Sequence, residues 1–473
     1  MRKTKIICTV GPSTDKEGVL EELMLGGMNI ARFNFSHGDY ETHKRRFEQI
    51  KALREKLELP IATMLDTRGP EVRLGVFKDG KKVVVNAGDE YILTTRDIEC
   101  DEKIASVSFK GFADDVRVGT RVLINDGLVS MTVESIQGQE VYCRVIDGGV
   151  LSDRKGVNVP GVELSMPYLS EQDMTDLEFG AKLGFDFIAA SFVRSAADVD
   201  YLRKFTNSVG FQSVRIIAKI ENMDGVNNID EIIACSDGIM VARGDMGVEI
   251  PFEQIPSIQK ELISKGYKAG KQVITATQML ESMISNPRPT RAEITDVANA
   301  IYDGTSAIML SGETAAGEHP VEAVKTMALI AETTEGQIDY AHRYDPNLTM
   351  NHKPITNAIS HATVTTAHDL GAKAIITVTK TGSTARMISK HRPSCMIVGC
   401  TTDGRVCRQM NMSWGVVPLM CDEKNNTDEL FDHAVSVALK NGLVRRGDIV
   451  VLTAGIPLGI SGTTNMIKVD TVK

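Results

Sequence analysis

Lys219, Glu221, Arg243, Asp245 and Thr277 stand at the ends of three successive short apolar runs, and together they hold the means of metal, acid–base and phosphoryl chemistry. Glu221 and Asp245 are hard carboxylates. Projecting from neighbouring strands into one mouth, with room for water and substrate oxygens, they suit an octahedral Mg²⁺ or Mn²⁺ that stays partly open. The same spacing allows either carboxylate to cap a helix or to pair with Arg243. Lys219 lies two residues before Glu221, on the same face of a strand, so its ammonium would sit beside the metal. There it would stabilise negative charge on an enolate or a transferring phosphoryl group. A buried salt bridge to Glu221 and a Schiff-base lysine are the competing readings.

Arg32 and Arg73 offer planar forks matched to phosphate oxygens, and Lys155, in Asp153-Arg154-Lys155-Gly156, adds a third cation. Singly, each reads as a surface charge; converging on one mouth, they favour a phosphorylated substrate. Asn34, Ser36, Asp66 and Thr67 all carry oxygen and would suit a monovalent cation, although the same residue types form turns. His37 reads as no more than the first residue of a loop. Further along, Thr379-Lys380-Thr381-Gly382-Ser383-Thr384-Ala385-Arg386 follows a strand and opens a helix, where hydroxyls and backbone N–H groups can hold a phosphate. A second loop, Gly455 to Asn465, could fold over the same ligand. Taken alone, each is as readily an ordinary loop.

Positioning these side chains requires a scaffold, and the apolar pattern supplies one. Strand-like runs at Lys5 to Val10, Met28 to Phe33, Ile61 to Leu65, Phe185 to Ala190, Val214 to Lys219, Gly238 to Val241, Gln272 to Thr275 and Ala307 to Leu310 alternate with helical periodicity. Eight parallel strands, each followed by a helix, close into a (β/α)8 barrel whose active site lies where the strands end. The second, third, fifth, sixth and seventh runs end in the polar residues just named. Between Leu65 and Phe185 the alternation stops, and residues 70–167 read as short strands punctuated by Asn125-Asp126-Gly127, Gln137-Gly138 and Asp147-Gly148-Gly149 turns. This is a small all-β insert over one end of the barrel, and a candidate lid. After a polar linker at Tyr344 to Pro354, a helix at Thr356 to Asp369 and four strand-like runs suggest an open α/β sheet. The expected division is 1–69 with 168–345 for the barrel, 70–167 for the insert and 346–473 for the C-terminal region.

A chain of 473 residues with 42% hydrophobic and 24% charged residues is globular. Its net charge of −9 and its short basic clusters argue against nucleic acid as a partner. Its apolar stretches fall short of the roughly 20 residues that cross a bilayer, and Met1-Arg2-Lys3 opens no signal peptide, so a cytoplasmic protein is expected. The eight cysteines form no CxxC pair and read as reduced thiols.

At these residues the chain resembles the bacterial pyruvate kinases. The resemblance rests on Thr9-Val10-Gly11-Pro12-Ser13, Ala31 to Gly38, Leu65 to Arg73, Lys155-Gly156-Val157-Asn158, Lys219-Ile220-Glu221-Asn222, Met240 to Gly247, Ala276 to Met283 and Met309 to Thr314, in family order. It implies a barrel, a mobile β-barrel lid and a C-terminal effector domain, with transfer of the phosphoryl group of phosphoenolpyruvate to ADP to give pyruvate and ATP. Carried over by position, Glu221 and Asp245 would bind the divalent metal, Lys219 would stabilise the transition state and Arg32 would hold the phosphoryl group. Gly244, Asp245 and Thr277 would bind the enolpyruvate portion. Arg73 and Lys155 would contact the nucleotide, with His37 and Asn34 nearby. Asn34, Ser36, Asp66 and Thr67 would hold K⁺, and Glu71, where K⁺-independent relatives carry Lys, implies K⁺ activation. Thr379, Thr381, Ser383 and Thr384 resemble a sugar-phosphate effector pocket, with fructose 1,6-bisphosphate one candidate, and relatives form homotetramers.

The chain departs from many relatives at Ala315-Ala316-Gly317, where they carry a lysine, and it ends at Lys473 without the appended phosphotransferase-like domain of some bacterial members. The rival readings are a metal-dependent 2-oxo acid aldolase or lyase, which would have little use for Arg73 and Lys155, and a catalytically inactive effector-sensing scaffold.

Overall fold

Eight short apolar runs rich in Ile, Val, Ala and Met pair side by side into a closed parallel barrel. We number them β1 (Lys5–Thr9), β2 (Ile30–Asn34), β3 (Ala62–Asp66), β4 (Phe187–Ala190), β5 (Arg215–Ile220), β6 (Gly238–Ala242), β7 (Gln272–Ala276) and β8 (Ala307–Leu310). The computed structural model describes residues 1–343, 355–424, 426–457 and 464–473.

Strand alternation sorts each run into two faces. Ile6, Cys8, Ile188, Ile216, Ala218 and Ile239 pack outward against the surrounding helices. Ile7, Ile30, Met64, Ile217, Met240 and Ile274 fill the barrel interior. Two residues further along their own strands, the interior positions turn polar: Arg32 after Ile30, Asp66 after Met64 and Lys219 after Ile217. The barrel is therefore apolar at its base and charged at its mouth. Met412, from the C-terminal region, joins the interior cluster.

The insert leaves after β3 through Gly69, which takes φ +77 where a Cβ would lie 2.8 Å from the Phe192 ring and 2.9 Å from Ser191 Cβ. It forms a seven-stranded sheet and a separate two-stranded ribbon, Val83–Val85 with Gly149–Leu151. The two outer edges of the larger sheet meet at isolated Leu74–Val107 and Phe77–Cys100 bridges, so the β-barrel expected for the insert is joined there by bridges instead of a continuous ladder. Its core is its own, built on residues such as Tyr91, Phe112, Val122 and Met131.

The C-terminal sheet contains β9 (Ala374–Val378), β10 (Met396–Thr401), β11 (Val416–Met420), β12 (Ile449–Gly455) and β13 (Thr464–Thr471), in the order β11-β10-β9-β12-β13. The first four are the parallel strands expected from their apolar runs. The fifth is antiparallel to β12 at the sheet edge. Its Asn465, Lys468 and Asp470 break the apolar pattern, because an edge strand has one flank to bury and not two. The linker expected at Tyr344 to Pro354 lies outside the described residues.

This region is bolted to the base of the barrel. Arg408 donates to the fully buried Asp186 carboxylate at 3.0 and 3.1 Å, and the same carboxylate accepts the Thr63 N–H at 2.9 Å. Asn411 donates to the Asn29 and Pro60 carbonyls, and Lys5 donates to the Val416 carbonyl at 2.6 Å. With the base covered, the charged mouth is the end open to a ligand.

All eight cysteines are free. Among the described residues no helix is long and apolar enough to cross a membrane.

Candidate active site

The ends of β2, β3, β4 and β5 meet in one buried ionic cluster. Arg32 Nε donates to Asp66 Oδ2 at 2.6 Å, and its Nη1 donates to Thr9 Oγ1 at 2.9 Å. Lys219 Nζ donates to Asp66 Oδ1 at 3.1 Å and to Ser191 Oγ at 2.8 Å, and lies 2.9 Å from Glu221 Oε1. Register explains the convergence: β2 pairs Asn34 with Asp66, and β4 pairs Ala189 with Asp66. Burial opposes the Lys219 charge, but the Asp66 and Glu221 carboxylates outweigh it and hold the ammonium above its ordinary pKa. Burial likewise opposes ionised Asp66, and Arg32 with Lys219 holds it below the usual range.

Glu221 is in a different position. Its Oε2 accepts the Phe192 N–H at 2.6 Å, while Oε1, close to Lys219, accepts no hydrogen bond with proper direction. Burial, with the Asp245 charge added, pushes its pKa up to about 8 despite Lys219. A buried Glu221 whose charge is disfavoured by burial and by the Asp245 carboxylate beside it fits a divalent cation, which would offset both. No group of three or more His, Cys, Asp or Glu among the described residues is arranged to hold a metal, so Glu221 and Asp245 would share the ion with substrate and water oxygens. Asn34 Oδ1 accepts the Ser36 N–H at 3.1 Å, and the Thr67 carbonyl accepts the Ser191 hydroxyl at 2.7 Å. Together with Asp66 this is an oxygen-only donor set, of the hardness that suits K⁺.

Thr277 is held by an unusual loop. Thr277 and Gln278 both adopt left-handed φ, +68 and +53. Arg243 clamps them, donating from Nη2 to the Thr277 carbonyl at 2.7 Å while Nη1 binds Asp296 at 2.6 and 2.8 Å. The Gly244 N–H donates to Thr277 Oγ1 at 2.7 Å, and that hydroxyl donates to the Ala276 carbonyl at 2.6 Å. Arg243 is thus committed to Asp296 and the loop backbone. The alternative of an Arg243 partnership with Glu221 or Asp245 is not what the chain adopts.

Above the cluster opens a cleft between barrel and insert, lined by His37, Arg73, Lys155 and Asp245. Arg32, Lys219, Glu221 and Thr277 are not on its wall. Arg73 donates to Glu71 at 2.8 and 2.5 Å and to the Arg154 carbonyl at 3.0 Å. Glu71 is therefore spent on Arg73 in this conformation. Across the cleft, Asn158 of the insert donates to Glu249 of the barrel at 2.7 Å.

The residues of the Thr379 to Thr384 loop lie far along the chain, on the C-terminal sheet. The Thr379 N–H donates to the Cys400 carbonyl, the Thr381 carbonyl accepts from Arg215 and Arg386, and Thr384 shares a 2.7 Å hydrogen bond with Thr464. Ser383 opens the helix Ser383–Lys390 behind Gly382. Residues 458–463 of the second loop lie outside the described residues.

Two participants were missed by the sequence reading. Ser191 follows the fourth strand, the only one between the second and seventh whose end was left unread; applying the same rule there finds it. Phe192 acts through its backbone N–H at φ +53, and no side-chain signal marks such a role.

Comparison with known proteins agrees along the whole chain. Residues 1–324 match the family model of the pyruvate kinase barrel domain, and residues 357–470 match that of the pyruvate kinase alpha/beta domain. The chain is 49% identical over 473 residues to a pyruvate kinase of Clostridium acetobutylicum, covering all of both chains. It is 47% identical over 473 residues to one of Geobacillus stearothermophilus, covering all of this chain and 80% of that one. The crystal structure of a pyruvate kinase from Cryptosporidium parvum superposes with a TM-score of 0.94 at 40% identity, covering 100% of this chain and 96% of that one.

Proposed function

The chain belongs to the pyruvate kinase family of phosphotransferases, and on that premise we propose how its own residues divide the work. The reaction moves the phosphoryl group of phosphoenolpyruvate to ADP, giving pyruvate and ATP. The observation that carries the assignment of residues is the buried Arg32–Asp66–Lys219–Glu221 cluster at the barrel mouth.

Arg32, aligned by Asp66 and Thr9, binds the phosphoryl oxygens. Lys219, fixed by Asp66 and Ser191, stays protonated and faces the charge that develops as the phosphoryl group leaves the enolate. Because its donors are already oriented, little reorganisation is needed during transfer. Glu221 and Asp245 hold the divalent cation the family requires; Mg²⁺ or Mn²⁺ would neutralise phosphoryl and carboxylate oxygens there. Gly244, Asp245 and Thr277 orient the enolpyruvate portion. Thr277 spends its one hydroxyl proton on Ala276, so it must release that bond before it can donate elsewhere. Arg73 and Lys155, with His37 and Asn34, receive the nucleotide from the insert side, and the Asn158–Glu249 bond helps draw the insert over it.

Asn34, Ser36, Asp66 and Thr67 hold K⁺, and Glu71 supplies no internal ammonium in its place. Residues 70–167 act as the lid, 1–69 with 168–345 as the catalytic unit and 346–473 as an effector domain. Thr379, Thr381, Ser383 and Thr384 take a sugar phosphate such as fructose 1,6-bisphosphate. A cytoplasmic homotetramer belongs to the same proposal, supported by the resemblance to the relatives.

The test is pyruvate formation from phosphoenolpyruvate with ADP and Mg²⁺, in K⁺ and in Na⁺ buffer, with and without fructose 1,6-bisphosphate. Activity that requires ADP and K⁺ supports the assignment. Lys219→Met should abolish turnover while leaving the fold intact by circular dichroism. Turnover that survives Lys219→Met would sink the assignment of roles.

A further inference from the structure

The insert joins the barrel at two places, on leaving after β3 and on returning before the helix Glu171–Leu183, and one side chain holds both. Ser170 and Asp173 close the start of that helix as a reciprocal cap. The Asp173 N–H donates to Ser170 Oγ at 3.0 Å, while Asp173 Oδ2 accepts the Ser170 hydroxyl at 2.6 Å and the Ser170 N–H at 3.2 Å. A cap needs only that one oxygen. The other, Oδ1, accepts the N–H groups of Arg68 at 3.1 Å and Gly69 at 3.2 Å, 105 and 104 residues away in the chain. The carboxylate is fully buried, so a donor lost from it is costly to leave unmade.

The departing strand is gripped again one turn along the same helix. Asp176, also fully buried, lies 3.5 Å from Arg68 Nε, which donates to the Phe35 carbonyl at 2.8 Å. Gly69 lies so close to Ser191 and Phe192 that a Cβ would not fit beside them. Those two residues hold Lys219 and Glu221, so the pinned segment rests on the residues that fix the reacting cluster. Beyond the pin, the two connections run on as one ribbon: Arg73 pairs with Gly156, and the Leu74 N–H donates to the Lys155 carbonyl at 2.8 Å. Arg73 and Lys155 therefore move together.

We infer that Asp173 is the pivot of the insert, a positioning residue that ties both connections to one point and so sets how Arg73 and Lys155 meet the nucleotide. The inference rests on the reading of residues 70–167 as a lid that carries those two cations. Connections that flexed separately would let the insert shear and twist over the mouth. Meeting at one carboxylate, they leave rotation about that carboxylate as the soft motion, with the ribbon as its lever. Asp173 itself touches no substrate: it acts through the strands it holds.

The test is steady-state kinetics of the full chain with ADP and phosphoenolpyruvate varied separately, beside thermal unfolding. Asp173→Asn keeps the shape but leaves an oxygen for one connection only, because an amide NH2 cannot accept from the other. Its KM for ADP should rise about tenfold, as when the fraction of chains with the ribbon correctly set falls tenfold. Its KM for phosphoenolpyruvate, whose proposed ligands all lie on the barrel, should stay within about twofold of wild type. Ser170→Ala weakens the cap and keeps both connections, so it should melt lower without that rise. Arg73→Met tests the underlying reading: an unchanged KM for ADP there overturns the lid assignment and the pivot with it. If Arg73→Met raises that KM and Asp173→Asn does not, or Ser170→Ala raises it as much as Asp173→Asn, the pivot alone is overturned and Asp173 is a helix cap. Hydrogen exchange in the unmodified chain needs no variant to fold: the Arg68, Gly69 and Ser170 amides, which share one carboxylate, should gain protection together on adding ADP. Protection gained at Arg68 and Gly69 but not at Ser170 would equally overturn the pivot.

Discussion

Ser191→Ala tests whether the fourth strand positions the reacting lysine or merely fills space. The hydroxyl accepts from Lys219 Nζ at 2.8 Å and donates its single proton to the Thr67 carbonyl at 2.7 Å, with Asp66 Oδ1 at 3.3 Å as the alternative acceptor. Removing it deletes one charge-assisted hydrogen bond, typically about 1.5–3 kcal/mol, and strips a buried carbonyl of its side-chain donor, about 1–3 kcal/mol. Lys219 keeps Asp66 and Glu221, so it remains charged but loses its third anchor. If the third anchor fixes where the ammonium points, about 1.4–3 kcal/mol of transition-state stabilisation is lost, or about 10- to 100-fold in kcat. Because Thr67 is also in the proposed K⁺ donor set, the K⁺ concentration needed for half-maximal activity should rise in the same variant. The assay is steady-state pyruvate release with phosphoenolpyruvate and K⁺ varied separately, beside thermal unfolding. A variant that melts lower yet keeps kcat and K⁺ response within about twofold of wild type would refute the positioning role and leave Ser191 as packing.

Lys5 gives a pH prediction. Burial lowers its pKa from 10.5 to about 7, so between those values the unfolded chain binds a proton that the folded chain does not, and stability rises with pH by at most about 1.4 kcal/mol per pH unit. Lys5→Met should therefore stabilise most at or below pH 7 and least near pH 10, read from denaturation midpoints across that range; a gain independent of pH would contradict it. Asp186→Asn leaves Arg408 facing a neutral amide at the junction of barrel and C-terminal sheet, and should cost about 2–4 kcal/mol with early proteolytic release of the C-terminal region; unchanged protease resistance would count against that junction as an anchor. Asn158→Ala removes the single bond from insert to Glu249 and should raise the KM for ADP several-fold with little change in kcat, whereas an unaltered KM would deny the latch a part in nucleotide binding.

The barrel and its mouth were legible because both follow from short-range periodicity. Alternation along a strand forces residues two apart onto one face, so once Ile30, Met64 and Ile217 are assigned to an interior, Arg32, Asp66 and Lys219 are assigned with them. The four parallel strands of the C-terminal sheet announced themselves in the same way. The edge strand β13 did not, since its polar positions erase the pattern, and the small strands of the insert at Val72–Arg73, Ile104–Ser106 and Gly156–Asn158 are too short to carry one.

Composition and pattern alone determined that this chain folds as repeated βα units interrupted by an all-β insert, and that carboxylates and cations gather where the strands end. Only the tertiary structure decided which of them pair. It set Arg32 on Asp66 and not on a carboxylate nearer in sequence, spent Arg243 on Asp296 and a left-handed loop, left one Glu221 oxygen without a hydrogen bond, and brought Ser191 and the Phe192 N–H into the site. Those choices rest on contacts between residues tens to hundreds of positions apart, fixed by barrel register and closure, and a sequence read locally holds no record of which distant partner a side chain will meet.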